Sequence, residues 1–466
     1  MSEQTRQTRG QFMRRFVRPA DPHSEHRLEF LDQTALELHR VTGRGQLMQC
    51  VWVYDHPVNE EGLQRFHHNL YESLGGRLIE RSPLPFGRAR WVRPVCAPAP
   101  IHRAVNSRPR SELMDWADEL GSLPIDPEKG PGWQLAVLPL DGGSTAISIV
   151  ASHVIGDGAG ALMAVFEAVT GNIRNMGYEQ RGSRPKSRVV LADLGRAVRD
   201  LPLSARTTVT AVKMLRDKRK DFARARAAQS HTSDGDYVIV PSAAFQVDIA
   251  DWDARAEALG GNSYSLLAGF AAKLSEYLDR RRADGDVSLL IAINTRESLD
   301  DDRALAMAFA TAHVDPTKVT VDLTESRAAV REARQKAKDE ADPTRELLPL
   351  VPWLPKKTVK GIVDLMFSYS EDLPVSCSNL GDLPAELSRL DGTPAESVFI
   401  RALDTNVTTG ELQRSHGQLV VVSGRINGKV SVSVEAYQLG GENTKARLRA
   451  IVAQTLEEFE LTGVVD

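Results

Sequence analysis

The sequence predicts a mixed α/β protein made of two similar domains, and three observations predict it. A length of 466 residues exceeds what one core usually fills. Short apolar runs of strand length alternate with longer helical periodicities along the chain. Each half also closes on the same pattern, a hairpin followed by a helix. Hydrophobic residues at 42% and charged residues at 26% are ordinary for a globular protein and exclude a disordered or collagen-like chain.

Taken in order, residues 1–27 are polar, with five arginines by Arg18, and read as a mobile arm or as a segment ordered against the body. Structure begins at Leu28-Glu29-Phe30-Leu31-Asp32, and Leu47–Tyr54 is a buried-strand run. Asn59 caps a helix that ends at Gly75-Gly76, with His67-His68 on its solvated face. Short strands follow at Arg77–Glu80 and Arg90–Arg93, then a helix over Ser111–Leu120. Trp133–Leu140 and Ser144–Ser152 form a hairpin about Asp141-Gly142-Gly143, with a helix from Gly158 to Val169. Residues 186–228 carry twelve Lys/Arg against four Asp and read as basic helices between the domains. A strand from Tyr237 opens the second half. Its helices fall at Asp251–Leu259, Tyr264–Arg282, Leu323–Ala341 and Asn443–Leu461. Its strands fall at Val287–Asn294, Met307–Val314, Val375–Asn379, Gln418–Ser423 and Lys429–Glu435, the last two joined by an Asn427-Gly428 turn. The divisions are therefore 1–185, a connector over 186–235, and 236–466.

Charge and composition remove several functions. With 58 basic against 62 acidic residues, the net charge of −4 gives no global footprint for nucleic acid. Cys50, Cys96 and Cys377 are odd in number and form no C-x-x-C pair, which fits a reducing compartment and no zinc site. The N-terminus lacks the apolar segment of a secretory signal, and no window reaches the length of a membrane span. A cytoplasmic protein is expected, with membrane contact at most peripheral.

The chemistry concentrates at Ser152-His153-Val154-Ile155-Gly156-Asp157-Gly158. His153 ends a buried strand, where a substrate can reach an imidazole. Near neutral pH that ring is the side chain best matched to take a proton from a hydroxyl. Asp157, four residues on, stands at a helix start. Gly156 and Gly158 allow backbone or ligand to come close. The residues alone leave other readings open: a structural histidine with Asp157 as a helix cap, or a metal site short of a third ligand. Gly156-Asp157-Gly158-Ala159-Gly160 departs from a dinucleotide turn in spacing and follows an antiparallel hairpin.

In context, this segment resembles the H-H-x-x-x-D-G motif shared by chloramphenicol acetyltransferase, peptide-synthetase condensation domains and the wax ester synthase/diacylglycerol acyltransferases. Further segments fall in matching order across nearly the whole chain. Leu28–Ala35 looks like the Leu-Asp pattern of the wax ester synthase branch. Ala292-Ile293-Asn294-Thr295-Arg296 looks like a strand ending in arginine, and Ser378-Asn379-Leu380-Gly381 like the Ser-Asn strand and loop. The resemblance implies two chloramphenicol-acetyltransferase-like domains with a tunnel between them. It makes His153 the general base, with Asp157 paired to Arg296 to hold its loop. It implies no bound cofactor and no metal, with acyl-CoA or a phosphopantetheine thioester as co-substrate. The partners it implies are an alcohol acceptor and an acyl carrier protein. The basic stretch 186–228 by itself offers a surface for anionic lipid head groups or for the phosphates of coenzyme A or a phosphopantetheine carrier.

The chain departs from the pattern in three places. Ser152 replaces the first histidine of the pair. Asn262-Ser263-Tyr264 stands where an Asn-Asp pair is common, leaving Ser263 as the oxyanion candidate, with Asn379 as a second contact. Ser378-Asn379-Leu380-Gly381 lacks the Pro-Gly-Pro ending. The expected activity is O-acyl transfer, ahead of N-acyl transfer, to give a lipid-like ester. A condensation-type enzyme with carrier-bound substrates and a silent acyl-binding relative are the alternatives.

Overall fold

The computed structural model describes residues 26–217, 235–298, 300–340, 345–354 and 373–466. The first half runs α1 (Phe30–Thr42), β1 (Gly45–Tyr54), α2 (Glu60–Glu72), β2 (Leu78–Glu80), β3 (Arg90–Val92), β4 (His102–Arg103) and α3 (Leu113–Glu119). The hairpin β5 (Trp133–Pro139) and β6 (Thr145–Ser152) leads to α4 (Gly158–Thr170) and the long α5 (Lys186–Asp217). The second half comprises β7 (Tyr237–Val238), β8 (Ser242–Asp248), α6 (Ile249–Ala258), α7 (Ser263–Tyr277), β9 (Val287–Asn294), β10 (Met307–Val314) and α8 (Thr324–Asp339). It continues through β11 (Val375–Asp382), β12 (Ser397–Thr405), β13 (Val407–Thr408), α9 (Thr409–Arg414), β14 (Gln418–Ile426), β15 (Lys429–Tyr437), α10 (Lys445–Glu458) and β16 (Val464–Val465).

Two sheets organise the molecule. The first has the order β12-β1-β6-β5-β4, the second β10-β9-β11-β14-β15-β8-β16. Alternate residues of the first sheet enter two cores. Trp52, Ile147 and Leu135 meet α2 and α4 through Phe66, Leu70 and Val165, while Val51, Val150 and Leu138 meet α3 through Trp116 and Leu113. The second sheet buries one face, with Leu289, Ile291, Cys377, Val421 and Val432 packed on Leu267, Phe270, Ile451 and Val452. The Asn427-Gly428 turn holds both residues at positive φ, 51° and 74°, as a two-residue hairpin connection requires.

Strand β12 is the element the sequence reading missed. It comes from the second half, yet pairs antiparallel with β1 from Gly45↔Thr405 to Val53↔Ser397 and so completes the first sheet. Arg401 interrupts its apolar run and hides the strand. That side chain is buried, with Nη1 donating to Gln49 Oε1 at 2.9 Å and Nη2 to Ser242 Oγ and Asp118. One guanidinium thus ties β12 to β1, α3 and β8.

Two further readings change. His67 is buried, not solvated: its Nε2 lies 2.8 Å from the Ala99 carbonyl and its ring meets Trp133 edge-on, while His68 is exposed. Position 67 shares the apolar face of α2 with Leu63, Phe66 and Leu70. Helix α7 ends at Tyr277, short of Arg282, where Asp279 takes a positive φ of 53°. The basic stretch 186–228 is helical through Asp217, and its remainder lies outside the described residues, as does the arm to residue 25. No described helix is long and apolar enough to cross a membrane.

Candidate active site

Strand β6 delivers His153 at its end into a single turn of 3-10 helix, His153–Ile155, and α4 starts three residues later. Ser152 caps the turn, its Oγ accepting from Val154 N at 3.3 Å. The structure therefore gives a function to the serine that stands beside the histidine. His153 keeps some accessible surface, yet desolvation by the surrounding protein lowers its pKa below 6.5. The Asp157 carboxylate and the histidine's own main-chain carbonyl pull the other way without prevailing. A ring held neutral at pH 7 is a proton acceptor.

Asp157 and Arg296, 139 residues apart, form the predicted pair. Arg296 Nη1 donates to both carboxylate oxygens, at 2.8 and 2.9 Å, and both side chains are buried. The carboxylate also caps α4, accepting from Gly160 N at 2.8 Å, and accepts from Ala306 N at 2.8 Å. Asp157 N in turn donates to the Ala304 carbonyl at 2.9 Å. Arg296 Nη2 reaches the carbonyls of Arg303 and Ala304 at 2.7 and 3.0 Å. The loop between β9 and β10 is thereby locked onto the start of α4. Gly160 is part of this design, because a Cβ there would stand 3.0 Å from Arg296 Nη2.

Two clamps escaped the sequence reading. Arg77 donates through Nε and Nη2 to the Ile155 carbonyl, at 2.9 and 2.6 Å, and through Nη1 to the Asp302 carbonyl at 2.7 Å. Asp32, buried on α1, accepts from Leu305 N at 2.9 Å, and desolvation raises its carboxyl to about 6. Asp32 lies in the Leu-Asp pattern, so a signal existed for it. Arg77 sits in an unremarkable turn, and nothing in its neighbours marks it.

The remaining candidates are placed as follows. Gly158 faces the end of β11, where a Cβ would meet Leu380 Cδ2 at 3.2 Å, so the Ser378–Gly381 segment does abut the histidine segment. That segment is part of the strand, which runs past Asn379 to Asp382 with a bulge, rather than a loop. Asn379 Oδ1 turns back to accept from Gly381 N at 2.8 Å. Ser263 begins α7, where its Oγ accepts from Trp252 Nε1 at 3.0 Å; the cap of that helix is Asn262, in a capping box with Ser265. No hydrogen bond among the described residues joins Ser263 to the His153 turn. Nor do the described residues bring three or more His, Cys, Asp or Glu side chains into a cluster fit for a metal.

No protein-family description matches the sequence, and no curated protein does either. Similarity appears in three dimensions. The first condensation domain of the CDA synthetase superposes with a TM-score of 0.54 at 13% identity, over 95% of this chain and 100% of that one. The wax ester synthase/diacylglycerol acyltransferase from Marinobacter aquaeolei VT8 gives 0.53 at 14%, over 93% and 98%. The trichothecene 15-O-acetyltransferase TRI3 from Fusarium sporotrichioides gives 0.55 at 11%, over 93% of each chain. With two sheets, a histidine turn closing β6 and likenesses that run nearly end to end, the protein has the fold of the chloramphenicol acetyltransferase-like and condensation-domain superfamily.

Proposed function

We propose that the protein is an acyltransferase that moves an acyl group from a thioester, acyl-CoA, to an alcohol. The observation that carries this reading is a neutral, enclosed His153 at a strand end, in a segment fixed by Arg77 and by the Asp157–Arg296 pair. In the proposed step the acceptor O–H gives its proton to the imidazole as its oxygen bonds the thioester carbonyl carbon. The tetrahedral intermediate then collapses, the C–S bond breaks, and the imidazolium returns the proton to the departing thiolate. Ester and free thiol are the products. Position and base together supply the acceleration, the base contributing about 10²–10⁴.

A surface suited to the acyl chain supports the lipid-like product. On the face of the second sheet opposite its core, Leu290, Ser376, Val420, Ser378 and Val422 are half-buried cross-strand neighbours. The next residues of β11 lead to Leu380, beside Gly158. Helix α5 supports peripheral contact with anionic lipid. Leu191, Leu194 and Val198, at helical spacing, are 70%, 48% and 59% exposed, among Lys186, Arg188 and Arg199.

The test is thiol release from acyl-CoAs of increasing chain length, with and without simple alcohols. Acceptor-dependent release is the expected result, and its length profile reports the donor site. Absence of release from every acyl-CoA, together with turnover of an acylated carrier protein, would replace the diffusible donor by a carrier-bound one. Absence of turnover with either donor would leave the silent acyl-binding reading.

A further inference from the structure

Arg77 has a second environment besides the histidine turn. The residue is 2% exposed, and its guanidinium lies over the Trp91 ring at 4.4 Å. Its hydrogen bonds to Ile155 and Asp302 go to neutral carbonyls, and among the described residues no carboxylate lies within ion-pair distance of it. A buried guanidinium whose hydrogen bonds go only to neutral carbonyls, with its nearest carboxylates out of contact, attracts an anion wherever one can enter. One can enter here. Arg77 lines a cavity of about 230 Å³ together with Arg93, Arg174, Glu72 and Tyr178. Arg93 is paired with Glu72 and Arg174 with Glu167, whereas Arg77 makes no direct ion pair and is balanced only at longer range by the buried Asp32 and Glu167 carboxylates.

We propose that this cavity binds the oxyanion end of a small molecule, a carboxylate or a phosphoryl group. Three arginines line it, and a guanidinium with N–H groups to spare matches such groups with paired hydrogen bonds. The volume is several times the roughly 30 Å³ of a water molecule, which leaves room for the body of the ligand as well as its charged end. Glu72 is the competing carboxylate in the wall. The proposal does not depend on the transferase reading, because binding is measured without turnover.

Thermal stabilisation of the full chain tests it, using inorganic phosphate, acetate, CoA and dephospho-CoA, each against sodium chloride at equal ionic strength. The expected result is a rise in Tm with at least one of these above the chloride reference. Arg93→Gln should weaken that ligand about tenfold or more. Glu72→Gln should tighten it. Stabilisation by phosphate or acetate alone identifies a free anion. Stabilisation by CoA that is reduced with dephospho-CoA identifies the phosphate of a donor. Both support the site. The proposal is overturned if no probe exceeds chloride, or if Arg93→Gln and Glu72→Gln bind the stabilising probe as the unsubstituted protein does.

Discussion

At the scale of single residues, burial keeps one ring uncharged against the pull of the Asp157 carboxylate beside it. Burial lowers the pKa of His153, which favours its base form at pH 7 and confines its protonation to the acid side. The rate should be flat just above neutrality and fall below pH 6.5, with a midpoint under that of free imidazole; a midpoint above 6.5 would contradict the burial argument. Asp32 behaves in the opposite sense. Its carboxyl titrates near 6 when folded and near 3.8 when unfolded, so keeping it charged costs stability that grows as pH rises between those values. Asp32→Asn keeps the acceptor for Leu305 N. Relative to the parent it should gain up to about 3 kcal/mol on going from pH 4 to pH 7, measured by urea unfolding at each pH. For Asp157 and Arg296 the interaction itself is at stake. Removing either partner strands the other charge in the interior, so Arg296→Ala should lose about 3–5 kcal/mol by the same measurement. A loss under 1 kcal/mol would mean that the pair does not hold the loop.

At the scale of elements, patterning made most of the fold legible. Val287–Asn294 and Met307–Val314 match their strands residue for residue, and the 133–152 hairpin and Asn59-capped helix differ only at their ends. These segments follow one local rule each, period two or a cap. What stayed hidden depends on distant partners. Arg401 makes β12 look polar until Gln49, Ser242 and Asp118 surround it, and Arg77 gains its meaning only from Ile155 and Asp302. In the site, His153, Asp157 and Arg296 were readable because the motif and the strand-end arginine are local signals. Their companions Arg77 and Gly160 answer to geometry that spans the fold. Helix α5 yields its own prediction. The protein should sediment with vesicles rich in anionic lipid and not with neutral ones, more weakly as salt rises, and Leu191→Ser with Leu194→Ser should reduce binding severalfold. Equal binding to neutral vesicles would remove the electrostatic part of the argument.

At the scale of the whole molecule, the two sheets are bound to each other by chain and by charge. Strand β12 leaves the second half to complete the first sheet, and Ser433 Oγ donates to Ile400 O at 2.8 Å where β15 meets it. The β9–β10 loop crosses the other way and is held by Asp32, Arg77 and Asp157 from the first half. The histidine turn lies within this exchange, so its geometry depends on both halves staying docked. Arg401→Leu should lower stability by several kcal/mol and reduce activity through loss of docking rather than of chemistry, because Gln49 and Asp118 lose their shared partner. A folded Arg401→Leu protein with unchanged Tm would refute that linkage. The most direct test of the central claim is acceptor-dependent thiol release by the unsubstituted protein and by His153→Ala, with folding checked by circular dichroism. The expected result is a folded variant whose rate falls by about 10²–10⁴. A folded variant that releases thiol at the original rate would show that His153 is not the base.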